Sequence, residues 1–217
     1  MKQLLDSIDS LFHPDSPVAA TGSRIFSLIG LNLLWLVCSL PIVTLGPATV
    51  AMHHVLFQYH SGRSDQVWKP FFHAFRRDFM AGLILGLPCT LLLLLLSFNG
   101  LYLAGSVSEG FSPLWIAFIL GVAFWLGLVI YGFPLTARYT LSFSQVIHNS
   151  IAFLLRFPKF SILSGLGHLA PLLLWILLPG LWQKVSFFWV LIGPAAVANI
   201  CDKRLLPLFE SQQTENA

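Results

Sequence analysis

Charge is what this chain has least of. Lys, Arg, Asp and Glu together make up 10% of its 217 residues, against about 25% in a soluble domain. So few charges cannot coat a water-facing surface, and the 56% of hydrophobic residues gather in long blocks, which argues against a soluble fold. Cysteine is nearly as scarce. Cys38 and Cys89 lie inside apolar blocks and Cys201 follows the last one, so no spacing supports a disulfide framework or a metal cluster. There is no HExxH, no GxSxG, no Walker loop and no pair of carboxylates at catalytic spacing. The expectation is a protein that is not an enzyme and that carries no cofactor and no metal. The basic residues sit beside apolar blocks with no soluble module to carry them, which leaves nucleic-acid binding without support. A cleavable signal peptide is not expected either, because Asp6, Asp9 and Asp15 interrupt the N-terminus.

What remains is five apolar blocks free of Asp, Glu, Lys and Arg: Ile25 to Leu45, Met80 to Leu103, Leu114 to Ala137, Phe160 to Pro179 and Val185 to Ile200. About 20 residues at about 1.5 Å each cross a bilayer core of about 30 Å. The fold class expected is therefore an all-α polytopic membrane bundle of five strong spans with amphipathic interfacial helices. Three regions follow: an N-terminal amphipathic segment over 1–23, a transmembrane bundle over 24–204 and a polar C-terminal tail over 205–217. Within 1–23, Leu4, Leu5, Ile8, Leu11 and Phe12 recur at helical spacing, as in a helix lying on a membrane.

In the first span Asn32, Trp35 and Ser39 fall at i, i+3 and i+7, one helical face. Lipid penalises Asn32, so this face is expected to look inward. Pro41 then begins a break completed by Gly46 and Pro47. His168, in Gly-Leu-Gly-His-Leu-Ala-Pro, joins the interior polar set as a hydrogen-bonding residue or a ligand contact. With no charge inside a span, an ion- or proton-coupled pump is disfavoured. The stretch Ala48 to Tyr59 is too short for a bilayer core and is expected in the interface, with a short sixth span as the alternative. His53 and His54 are adjacent, diverge by about 100° on a helix and do not form a metal pair. Gly82 and Gly86 form a GxxxG that permits close helix contact. Val67 to Phe79 reads as an interfacial helix. Trp68, Phe72 and Phe75 belong to its aromatic stripe and Lys69, Arg76 and Arg77 to a basic face, which suits anionic headgroups or simply fixes topology.

Orientation follows from the loops. Arg63, Lys69, Arg76 and Arg77 separate the first two spans, and Arg138, Arg156 and Lys159 separate the third and fourth; the opposite loops hold only Lys184. The positive-inside rule makes the basic loops cytoplasmic in a cell-membrane protein. Five crossings then place the N-terminus outside, to which Lys2 and Arg24 object; a sixth crossing at Ala48 to Tyr59 would remove the objection.

The chain resembles the YesL-like family of bacterial integral membrane proteins of unknown function. The resemblance lies in Asp15-Ser16-Pro17, the run from Asn32 to Gly46, Ala48-Thr49-x-Ala51, the Phe71-Phe72-x-Ala-Phe75 helix and Ala137-Arg138-Tyr139. Gly46-Pro47, where the family more often has a small residue after Gly, and the His53-His54 pair depart from its pattern. Relatives often stand beside genes for sugar uptake and polysaccharide breakdown. The resemblance thus implies an integral membrane protein acting as a non-enzymatic accessory or regulatory component of carbohydrate uptake. Its partners would be the lipid bilayer and a sugar-transporter subunit, or a second copy of itself. The alternative is a small-solute transporter or passive channel with a polar midplane site.

Overall fold

The computed structural model describes residues 17–63, 66–105 and 113–215. The amphipathic segment expected around Leu4 to Phe12 lies outside the described residues. Among the described residues the chain is helical and holds no strand: α1 Pro17–Ser39, a 3-10 turn Ile42–Thr44, α2 Leu45–His60, α3 Trp68–Arg77, α4 Phe79–Gly105, α5 Leu114–Gly127, a π-helical turn Leu128–Gly132, α6 Phe133–Arg138, α7 Phe143–Arg156, α8 Pro158–Leu177 and α9 Pro179–Glu215. Five segments are long and apolar enough to cross a membrane: Thr21–Ser39, Phe79–Gly105, Leu114–Arg138, Pro158–Leu177 and Pro179–Ser211. Only 17–28% of each segment's most apolar window is buried within the protein. The bare remainder, with Leu91, Leu95, Phe98 and Leu101 all more than 60% exposed on α4, requires an apolar solvent. This is a multi-pass membrane bundle.

Local chemistry sets the breaks. α1 stops where Leu40 precedes Pro41, because proline disfavours helix in the residue before it. The Thr44 hydroxyl donates to the carbonyl of Cys38 at 2.6 Å, satisfying a group the ended helix leaves open. Pro47 sits in the first turn of α2, where its missing N–H has no partner to lose. α7 opens on a capping box: Gln145 N–H donates to Ser142 Oγ, and Ser142 N–H donates to Gln145 Oε1 at 2.9 Å. Single residues, Asp78 and Phe157, join the amphipathic helices α3 and α7 to the long helices that follow.

Two expectations need correction. α2 does not lie in the interface. Ten of its residues are buried, Gly46 to Ala48, Val50 to His53 and Val55 to Phe57. It is enclosed by α1, α3, α4, α6 and α9 and supplies residues to both hydrophobic clusters of the bundle. Its polar residues misled the periodicity because they meet polar partners inside the protein rather than water. The second correction is at the C-terminus. α9 does not end near Ile200 or Arg204 but continues to Glu215, and Asp202, Leu205 and Phe209 beyond it are buried to 2% or less. Among the described residues, the interior expected to be free of charge therefore holds the Asp202 carboxylate.

The close approach of α2 to α4 explains Gly46, Gly82 and Gly86 together. A Cβ on Gly82 would stand 2.6 Å from Pro47 Cα, and one on Gly86 2.5 Å from Gly46 Cα. The GxxxG is the socket for the start of α2, and the Gly46-Pro47 pair is what fills it. α1 and α2 run back to back. Trp35 Nε1 donates to Thr49 Oγ1 at 3.0 Å, while Arg24 and Leu28 share a cleft with Tyr59 and His60. The start of α1 thus lies at the same end of the bundle as the α2–α3 connection and Lys203.

Candidate functional site

Two helix-interior prolines and the π turn meet around one place. Pro171 in α8, Pro194 in α9 and Val129 in the π turn all line a cavity of about 300 Å3 between α1, α2, α4, α5, α6, α8 and α9. Each is where a helix departs from regular packing, and the departures leave room. Trp35, Trp125 and Trp189 wall the cavity, with Thr49, Thr90, His53 and His168 as its polar groups. The indoles of Trp35 and Trp125 spend their N–H on Thr49 Oγ1 at 3.0 Å and on the Cys89 carbonyl at 3.2 Å, so they offer the cavity flat apolar surface. Trp189 folds back over Gly193, where a Cβ would come within 2.6 Å of the indole.

The histidines are both oriented. His53 Nδ1 donates to the Asp202 carboxylate, at 2.9 Å from Oδ1 and 2.8 Å from Oδ2; the two side chains are 4% and 0% exposed. His168 Nδ1 donates to the Ser164 carbonyl at 2.9 Å. With Nδ1 committed in both, Nε2 is each ring's remaining polar atom. In the neutral imidazole it is an acceptor.

Asn32 is fully buried, as its penalty in lipid requires, but it does not line the cavity. Its Nδ2 donates to the Val190 carbonyl at 2.7 Å, and its Oδ1 accepts from Ala195 N–H at 3.1 Å. Val190 is the residue whose carbonyl Pro194 cannot satisfy. Asn32 thus closes the hydrogen-bond gap that the proline opens in α9. Trp35 and His168 reach the cavity. Ser39 is half-buried, its hydroxyl without a partner among the described residues, and Pro41 is exposed at the break.

The basic and aromatic residues of α3 divide differently from the expected stripe. Phe71 and Ala74 turn into the core and Phe75 is partly buried, stacking on Phe71 with centroids 6.2 Å apart. Trp68, Lys69, Phe72 and Arg76 are exposed together with His73 and form one shallow surface with Arg77. Arg77 is engaged: its Nε and Nη2 donate to the Asp78 carboxylate at 2.9 and 2.6 Å, which holds its pKa above the usual arginine value. Behind it, burial pushes the His54 imidazole below its usual range, opposed by the hydrogen bond to the Ala137 carbonyl.

Asp202, Trp125 and Trp189 escape the sequence reading, which meets His53 only as half of a pair that does not bind metal. A signal for Asp202 exists. Ala195, Ala198, Asp202, Leu205 and Phe209 recur at i, i+3, i+7, i+10 and i+14, one continuous buried face. A carboxylate inside such a stripe marks a paired charge, and His53, on another helix, is its partner.

The architecture and the cavity define a class: a multi-pass helical membrane protein with an aromatic, histidine-bearing chamber where its helices break. A family model described as "Protein of unknown function, DUF624" matches residues 28–100, which run from α1 to α4 and include the socket for α2. Nothing among curated proteins or solved structures matches the chain.

Proposed function

We propose that this protein, as a YesL-like protein of the cell membrane, binds a small hydroxylated solute in the cavity and serves carbohydrate uptake without catalysing a reaction on it. The observation that carries this reading is the pairing of two fixed histidines with three tryptophans around about 300 Å3, the lower end of ordinary ligand pockets. Two Nε2 acceptors call for a ligand that donates hydrogen bonds. The indole surfaces of Trp35 and Trp125, with their N–H groups already engaged, call for a ligand with apolar faces. A monosaccharide meets both needs, since its hydroxyls donate and its C–H faces stack. Sites at helix breaks inside the bundle are also where membrane transporters hold their substrates, so passage of the solute is the role we favour over sensing.

The test is binding to detergent-purified protein. Titration with monosaccharides should quench tryptophan fluorescence saturably and raise the unfolding temperature. His168→Ala and Trp125→Ala should each abolish that response, with circular dichroism unchanged. Amino acids and quaternary ammonium compounds should produce none. If no monosaccharide gives a saturable response, the carbohydrate reading is wrong.

The exposed Trp68, Lys69, Phe72 and Arg76 surface supports a second reading, an accessory protein docking a sugar-transporter subunit. It requires that such a subunit co-purify, and that Arg76→Ala release it. Arg77→Ala should matter less, because Arg77 is already bound to Asp78.

A further inference from the structure

A second cavity, of about 440 Å3, opens where α1, α2 and α9 meet beside the start of α3. Three basic side chains converge on it from three helices: Arg24, His60 and Lys203. Arg24 and Lys203 are exposed, and neither forms an ion pair with a carboxylate among the described residues. Asp202, the neighbour of Lys203 in the chain, is turned inward to His53. His60 is held by its Nε2, which donates to the Asn199 carbonyl at 3.2 Å. The Asn199 side chain also lines the cleft, and its amide oxygen is buried without a partner among the described residues. Turned over, the same amide would present an NH2 donor there. The inner wall is of another kind: Leu28, Leu31, Val55 and Leu56.

Two cations with a histidine, and no acid paired to either cation among the described residues, call for an anion with several acceptor oxygens, which a phosphate supplies. A soluble phosphate gains nothing from a leucine and valine wall, whereas a phosphate carried on hydrocarbon does. We propose that this cleft binds an anionic phospholipid, its phosphate between Arg24, Lys203 and His60 and its acyl chain against the apolar wall at Leu28. Basic pockets between spans on the positively charged side of a membrane protein suit such headgroups. The site is separate from the tryptophan-walled cavity and does not depend on what that cavity holds.

The experiment is native mass spectrometry of the full chain released from nanodiscs of phosphatidylglycerol mixed with phosphatidylcholine. One phosphatidylglycerol should be retained in preference to phosphatidylcholine. Arg24→Gln with Lys203→Gln should weaken its retention about 30-fold, from the loss of two cations near the lipid surface. Lys184→Gln, at the opposite end, should not change it, nor should His168→Ala. Both exposed glutamine substitutions leave the core intact, so retention can be read on folded protein. Equal retention by the double variant overturns the proposal, as does retention of both lipids alike. If inorganic phosphate or glycerol phosphate stabilises the protein in a manner that depends on Arg24 and Lys203 while phosphatidylglycerol does not, the cleft belongs to a soluble phosphate and the lipid assignment fails.

Discussion

At the scale of residues, Asp202 makes the largest demand on its surroundings. An unpaired carboxylate at zero exposure would cost several kcal/mol in desolvation, and His53 offsets that through two contacts under 3 Å. Removing either partner leaves the other stranded. Asp202→Ala and His53→Ala should each destabilise the purified protein by about 3 kcal/mol or more, read as a fall in the midpoint of denaturant unfolding. The double variant should lose much less than the sum, because the second deletion removes the group the first one stranded. Additive losses would mean that the two side chains act separately. The same logic explains why Asn32 was readable and Asp202 was not. Asn32 lies inside an obvious apolar block, where a polar group needs an internal partner. Asp202 lies two residues past one, where a charge looks like the start of an aqueous tail.

At the scale of elements, α2 shows how far periodicity carries. The second, third and fourth spans were legible to within two residues at each end, and the first and fifth only as spans, the ends of their helices lying six or more residues away; lipid selects long uncharged runs, and these need no knowledge of neighbours. α2 carries histidines, threonine and glutamine and is only 16 residues long, so the same criterion sends it to the surface. Its place is decided by groups on other helices: Asp202 on α9, Ala137 on α6, and the bare glycine backbone of α4. That last contact is backbone against backbone, with no flexible side chain to yield. Gly86→Ala should therefore lower the unfolding temperature and the yield of monodisperse protein more than Gly105→Ala, where a Cβ meets nothing within 4 Å. Equal effects of the two substitutions would remove α4 as the seat of α2. The cavity was the least legible feature, since its walls come from seven helices and the π turn and only their mutual packing assembles them.

At the scale of the whole molecule, the return of α2 toward the start of α1 changes the accounting of charge. Arg24, Lys69 and Lys203 gather at one end of the bundle. Lys184 stands near the start of α9, about 28 Å of helix before Lys203 at about 1.5 Å per residue. The N-terminal arginine that opposed a five-crossing arrangement lies with the other basic groups, as the positive-inside rule asks. Single cysteines should report this. In a variant with Cys38→Ser, Cys89→Ser and Cys201→Ser, a cysteine replacing Lys184 should react with a membrane-impermeant maleimide added to intact cells. A cysteine replacing Arg63 or Lys203 should react only after the cells are opened. The reverse pattern would invert the protein.

The clamp between Asn32 and the Pro194 kink also has a consequence in time. Its two halves are 158 positions apart in the chain, and ribosomes add about 5–20 residues per second. Asn32 is therefore made on the order of ten to thirty seconds before the carbonyl it binds. Throughout that interval a nascent chain carries an unmatched amide in its first helix. A copy halted before Val190 never resolves it. α9 is the helix that completes α1, so the finished fold carries its own record of whether translation reached Ala195.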